Sequence, residues 1–165
     1  MKRYVIAILM AWILFIGVDF LFHASIFASL WEEDIATFKS LENLALLIPI
    51  GYLSFLLLTI LVAYVFFKIH NKKPTIKQVV TFSLIFGSLY SLTNLLGSYS
   101  YIAIPLKHLV LFNLVYFIEI IVVSFTLYYV MFTNKFKKTI WLTIIIFFSL
   151  VIVGVLIQNI LDNIL

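Results

Sequence analysis

Five apolar stretches, each long enough to cross a bilayer and parted by short polar connections, constrain this chain more than any other feature. They cover about residues 4–30, 44–67, 78–96, 106–132 and 140–161. A helical span takes about 20 predominantly apolar residues at ~1.5 Å of rise each. Hydrocarbon offers no partner for backbone N–H and C=O groups, so stretches of this length pair their own and form helices. The expected fold is all-α, a polytopic transmembrane helix bundle of five spans forming a single domain. Composition excludes the alternative. The chain's 165 residues are 65% hydrophobic and 11% charged, with a mean hydropathy of +1.21. Soluble domains run at roughly 45–50% apolar and about 25% charged, so this chain lacks the polar residues to cover a water-soluble globule. Its zero cysteines exclude a disulfide framework, a thiolate metal site and a catalytic thiol.

Charge sets the expected orientation. Lys2, Arg3, Lys68, Lys72, Lys73, Lys77, Lys135, Lys137 and Lys138, nine of the eleven basic residues, fall on one side of a five-span bundle. The other side carries Lys39 and Lys107 with Glu32, Glu33, Asp34, Glu42 and Asp162. Short basic loops stay cytoplasmic, which puts the N-terminus inside and the C-terminus outside, in the inner (cytoplasmic) membrane. The loop KIHNKKPTIKQ is accounted for by this topology and by anionic headgroups, so no nucleic-acid partner is invoked. The expected partners are membrane lipids, together with further copies of the chain or other membrane subunits. Met-Lys-Arg before an apolar run is the start of a secretory signal, but this run exceeds the usual ~7–15 residues and carries Asp19; a retained anchor is expected. Trp31, Tyr99 and Tyr101 suit the headgroup region. The Glu32-Glu33-Asp34 run reads as a solvated loop.

Inside the spans, Asp19 and Glu119 stand out, because an acid at mid-span costs about 2.5–3.5 kcal/mol on insertion scales. Counted from the inner ends of their spans, Asp19 lies roughly 22 Å up, Glu119 roughly 20 Å and Asn94 roughly 24 Å. Three polar residues on three helices thus reach one level. His23 follows Asp19 by four residues and shares its face. On span four, Tyr116 is within reach of the Glu119 face. Asn113 is turned well around the helix, and His108 repeats the Glu119 face near the outer rim. Span three carries Ser83, Gly87 and Ser91 at four-residue spacing, a small-residue face that lets a neighbouring helix approach closely. Tyr90 and Asn94 lie on or beside it. Pro49, Gly51 and Tyr52 mark the outer end of span two. Span five, with no acid or base at its middle, reads as a lipid-facing peripheral helix.

These residues define a candidate pocket open to the outside: Asp19, His23, Tyr90, Asn94, Asn113, Tyr116 and Glu119, with Asp19 and Glu119 expected to approach each other and line one cavity. The alternative is a structural cluster in which the same groups hydrogen-bond across helices. Asp19, His23 and Glu119 could also serve as metal ligands. No phosphate-cradling loop, nucleophile elbow or dinucleotide fingerprint occurs, and no cofactor is expected. Three functional classes follow: a protein handling a solute, cation or proton; a non-enzymatic accessory protein whose acids join helices; and an intramembrane enzyme acting on a lipid or quinone, with the two acids as an acid–base pair.

With Asp19 in the first span and Glu119 in the fourth, the string Phe86-Gly87-Ser88-Leu89-Tyr90-Ser91-Leu92-Thr93-Asn94-Leu95 resembles a family of small, uncharacterised bacterial multi-spanning membrane proteins. Members carry a first-span Asp followed by Trp-Leu, then a Tyr and an Asp-Leu-Thr-Asn string, then a later Asp. Gly87, Tyr90, Leu92, Thr93, Asn94 and Glu119 match that pattern. Ser91 stands where an acid precedes Leu-Thr-Asn, Phe22-His23 replaces Trp-Leu, and the fifth span is extra. The resemblance implies a helical bundle and carries no activity with it.

Overall fold

A computed structural model describes residues 2–33, 35 and 41–162. Asp34 and Lys39 of the acidic connection, and the side chains of Glu32, Glu42 and Asp162, lie outside the described set. The regular structure of the described residues is all helical, without strands: α1 (Lys2–Asp19), a π-helical segment (Phe20–Ile26), α2 (Ala28–Glu32), α3 (Leu41–Ile69), α4 (Ile76–Tyr101), α5 (Leu106–Phe132) and α6 (Phe136–Asp162). Five stretches are long and apolar enough to cross a membrane: Lys2–Ile26, Leu46–Ile69, Ile76–Tyr101, Leu106–Phe132 and Phe136–Leu161.

Two boundaries differ from expectation, each for a local reason. The third span continues past residue 96 to Tyr101, with Ser100 Oγ donating back to the Gly97 carbonyl at 2.7 Å. It stops at an extended Ile102, and Pro105 opens α5. The residue before a proline is pushed out of helical geometry, which leaves only a short connection there. The first span is no uninterrupted α-helix. At Asp19 it passes into π geometry, closed by the i→i−5 bond from Phe27 N–H to the Phe22 carbonyl at 2.7 Å.

α1 and α5 form the centre, and every other span packs on one or both of them. Lipid tails are as apolar as the side chains they touch, so close backbone approach and good fit, more than water exclusion, join helices here. α1 supplies Ala7 and Ala11, both fully buried and one turn apart, then Phe15. α4 presents the small face read from the sequence, with Ser83, Gly87 and Ser91 all buried, and Ser98 is buried further along. A Cβ on Gly87 would stand 3.0 Å from the Phe117 ring of α5. The basic ends gather at one pole. There Arg3 donates from Nε to the Val130 carbonyl at 3.1 Å and from Nη2 to the Thr133 carbonyl, closing the C-terminus of α5. A reciprocal Thr75–Gln78 capping box starts α4 at the same pole.

α3 and α4 are consecutive, yet they do not pack along their length. The rings of Phe66 and His70 meet Phe82 near the basic pole, with centroids 5.1 and 6.1 Å apart. Towards the other pole a cavity separates them. α6 is largely exposed, as expected of a peripheral helix, but it is more than a lipid-facing rod. It presses Phe147 and Leu150 on Gly17 of α1, and Gly154 on Phe20 and Ser25 of the π segment.

Candidate functional site

Most buried polar side chains in this bundle are satisfied by their own helix. Thr59, Ser124, Thr126 and Thr143 each donate to the carbonyl four residues earlier, at 2.7–3.0 Å. Asn113 does the same through Nδ2, to the Leu109 carbonyl at 2.7 Å, and its Oδ1 is left without a partner. The helix-to-helix ties among the described residues are few. Trp12 Nε1 donates to the Tyr52 carbonyl at 2.9 Å, and Gln158 Nε2 donates to the Ala24 carbonyl in the π segment.

At the pole away from the basic loops, a cavity of about 800 Å³ lies between α1 with its π segment, α3, α4 and α5. Asp19, His23, Asn94, Asn113 and Tyr116 of the expected set line it, along with Tyr52. His23 Nε2 stands 3.9 Å from Asp19 Oδ1, beyond hydrogen-bonding distance. His23 Nδ1 is buried without a partner. The remaining wall is largely aromatic and aliphatic. The rings of Trp31 and Phe112 stack with centroids 4.7 Å apart at 9°, and Phe112 meets His23 edge-on at 5.1 Å.

Two expected members are not in the lining. Glu119 is fully buried, one turn deeper along α5 than Tyr116, and neither carboxyl oxygen has a hydrogen-bond partner among the described residues. Tyr90 packs edge-to-face on Tyr116, centroids 5.8 Å apart. Helix geometry explains the division. At ~100° per residue, Asn113, Tyr116 and Glu119 follow one another around α5 in steps of about 60°. The cavity takes the arc holding Leu109, Phe112, Asn113 and Tyr116. Glu119 falls at the edge of that arc and below it. Asn113, turned away from Glu119, is for that reason turned towards the cavity. Asp19, Tyr90 and Tyr116 remain within electrostatic reach of the Glu119 carboxyl. The described residues hold no cluster of three or more His, Asp or Glu suited to a metal ion, so Asp19, His23 and Glu119 are not gathered as a ligand set.

Above the cavity, Lys107 Nζ bonds Glu33 Oε1 at 2.7 Å, and His108 Nε2 stands 3.3 Å from Glu33 Oε2. The hydrogen bond from Lys107, reinforced by its charge, holds the Glu33 carboxyl below the ordinary range. His108, read from the sequence as a rim residue, is completely buried.

Of the aromatic wall, Trp31, Tyr52 and Tyr116 stand out in the sequence only singly, for other reasons, and the phenylalanines do not. Trp31 had a reading as a headgroup residue, and with 17 phenylalanines in the chain no spacing marks out Phe20, Phe55 or Phe112. The chain matches no protein-family model, no curated protein and no solved structure.

Proposed function

We propose that this is an inner-membrane protein, N-terminus inside, whose cavity faces outward and holds a small solute or cation, with Asp19 and Glu119 available to handle a proton. The observation that carries the reading is the convergence of polar side chains from α1, α4 and α5 on one cavity of about 800 Å³. Volumes of roughly 300–1,000 Å³, mostly apolar with a few placed polar groups, are those of small-molecule sites. Intramembrane acids mark solute and proton pathways. The positive-inside distribution supports the outward direction, since the cavity lies at the pole opposite the basic loops. Association with further copies or with other membrane subunits belongs to the same reading.

The accessory reading requires the buried polar groups to join helices. Asp19, Asn94, Asn113 and Glu119 make no helix-to-helix hydrogen bond among the described residues, which favours the pocket. The test is proton flux into liposomes with a trapped pH-sensitive dye, with and without an added monovalent cation. Asp19→Asn and Glu119→Gln are expected to abolish the flux while the purified proteins keep their helicity. Variants that lose thermal stability, from a parent that carries no flux, would return the two acids to a structural role.

A further inference from the structure

The cavity's wall says more about its occupant than its polar residues alone. Among the described residues, no lysine or arginine lines it; its acid is the Asp19 carboxyl, with the His23 imidazole 3.9 Å away. Lys107, at the start of α5, is engaged by Glu33. Asn113 also lines the cavity, its amide donating to its own helix and its buried Oδ1 without a donor among the described residues. A site with acceptors, an acid and no fixed positive charge is matched to a cation.

A bare inorganic ion would leave most of the volume unfilled. At ~30 Å³ per water, about 800 Å³ is room for about 25 waters, and the described residues hold no cluster suited to a metal. What fills the wall instead is ring surface, from three elements: Trp31 beside α1, Tyr52 on α3, and Phe112 and Tyr116 on α5. Aromatic faces attract an organic cation through their quadrupole, most strongly where water is excluded. On one side α3 and α4 do not pack together, so that flank of the cavity is left to acyl chains. A ligand held there meets lipid as well as protein, which selects apolar substituents.

We infer that the ligand is an amphipathic organic cation, a quaternary ammonium or phosphonium type of head with apolar groups, held between the Asp19 carboxylate and the rings of Trp31, Tyr52, Phe112 and Tyr116. This rests on the solute-pocket reading above and names its substrate class.

The experiment is equilibrium binding to the purified full-length protein in maltoside micelles, with protein-free micelles as blank. Tritiated tetraphenylphosphonium and its neutral analogue triphenylphosphine oxide are measured separately. The cation is expected to bind at least about tenfold more tightly than the neutral probe. Asp19→Asn removes that advantage, and Asp19→Glu keeps it. Gly51→Leu serves as a second variant, because Gly51 lines the cavity and a Cβ there meets nothing within 4 Å. Its side chain intrudes on the cavity from a position where a Cβ meets no neighbour, and it is expected to weaken both probes. Equal binding of the two probes, or a cation affinity unmoved by Asp19→Asn, overturns the cation class and leaves the pocket standing. If neither probe binds, the cation class and the solute pocket fall together.

Discussion

A hydrogen atom in place of a side chain decides the packing at residue 154. A Cβ on Gly154 would stand 2.7 Å from Ser25 Oγ and 2.8 Å from Phe20 Cε1, closer than real atoms approach. Gly51 meets open space at the same test. The two glycines therefore predict opposite outcomes in thermal melts. Gly154→Val is expected to cost about 1–3 kcal/mol through overpacking. Gly51→Ala, relieving the entropy of a helical glycine, is expected to stabilise by about 0.5–1 kcal/mol. A second residue-scale prediction concerns Glu33, whose carboxyl is held low by Lys107. A depressed folded-state value means that its contribution to stability is complete above the ordinary carboxylate range and is lost as pH falls through the depressed value. A carboxyl-carbon NMR titration is expected to show Glu33 titrating low in the parent and returning upward in Lys107→Met. At this scale the sequence was informative where depth alone mattered: Asp19 and Asn94 share a cavity because they share a level. Glu119 was misjudged because rotation about α5 and depth act together, and a one-turn difference separates a lining residue from a sealed one.

At the scale of elements, the long spans were legible because lipid tolerates few alternatives to a paired helix. The π segment was not. Nothing in Phe20-Leu21-Phe22-His23-Ala24-Ser25-Ile26 marks a change of hydrogen-bonding register; its partners lie on α6, more than a hundred residues away in sequence. Ser25 Oγ donates to the Phe20 carbonyl at 3.3 Å, and Gln158 of α6 takes up the Ala24 carbonyl. Isolated π turns are rare and recur at functional sites; this one follows Asp19 directly and carries His23. Removing the outside support is expected to loosen it. Gln158→Leu should cost about 1 kcal/mol, and hydrogen exchange should rise over residues 20–26 while α1 stays protected at Ala11 and Phe15. Unchanged exchange across the segment would show that α6 does not support it.

For the whole molecule, the count of five spans was readable from composition and charge together, whereas the arrangement of the spans was not. Apolar periodicity cannot choose between lipid and a neighbouring helix when both are equally apolar. The orientation is open to direct measurement. An alkaline-phosphatase fusion at the C-terminus is expected to be active outside the cell, and ending the chain before α6, at residue 134, should silence it by moving the fusion inside. Beyond orientation, α3 and α4 meet at Phe66, His70 and Phe82 near one pole and stand apart at the other. Spreading such a pair does work against the surrounding chains. Its aperture is therefore expected to follow the lateral pressure of a single leaflet, narrower where acyl chains pack tightly and wider where lipid is thin or loosely packed.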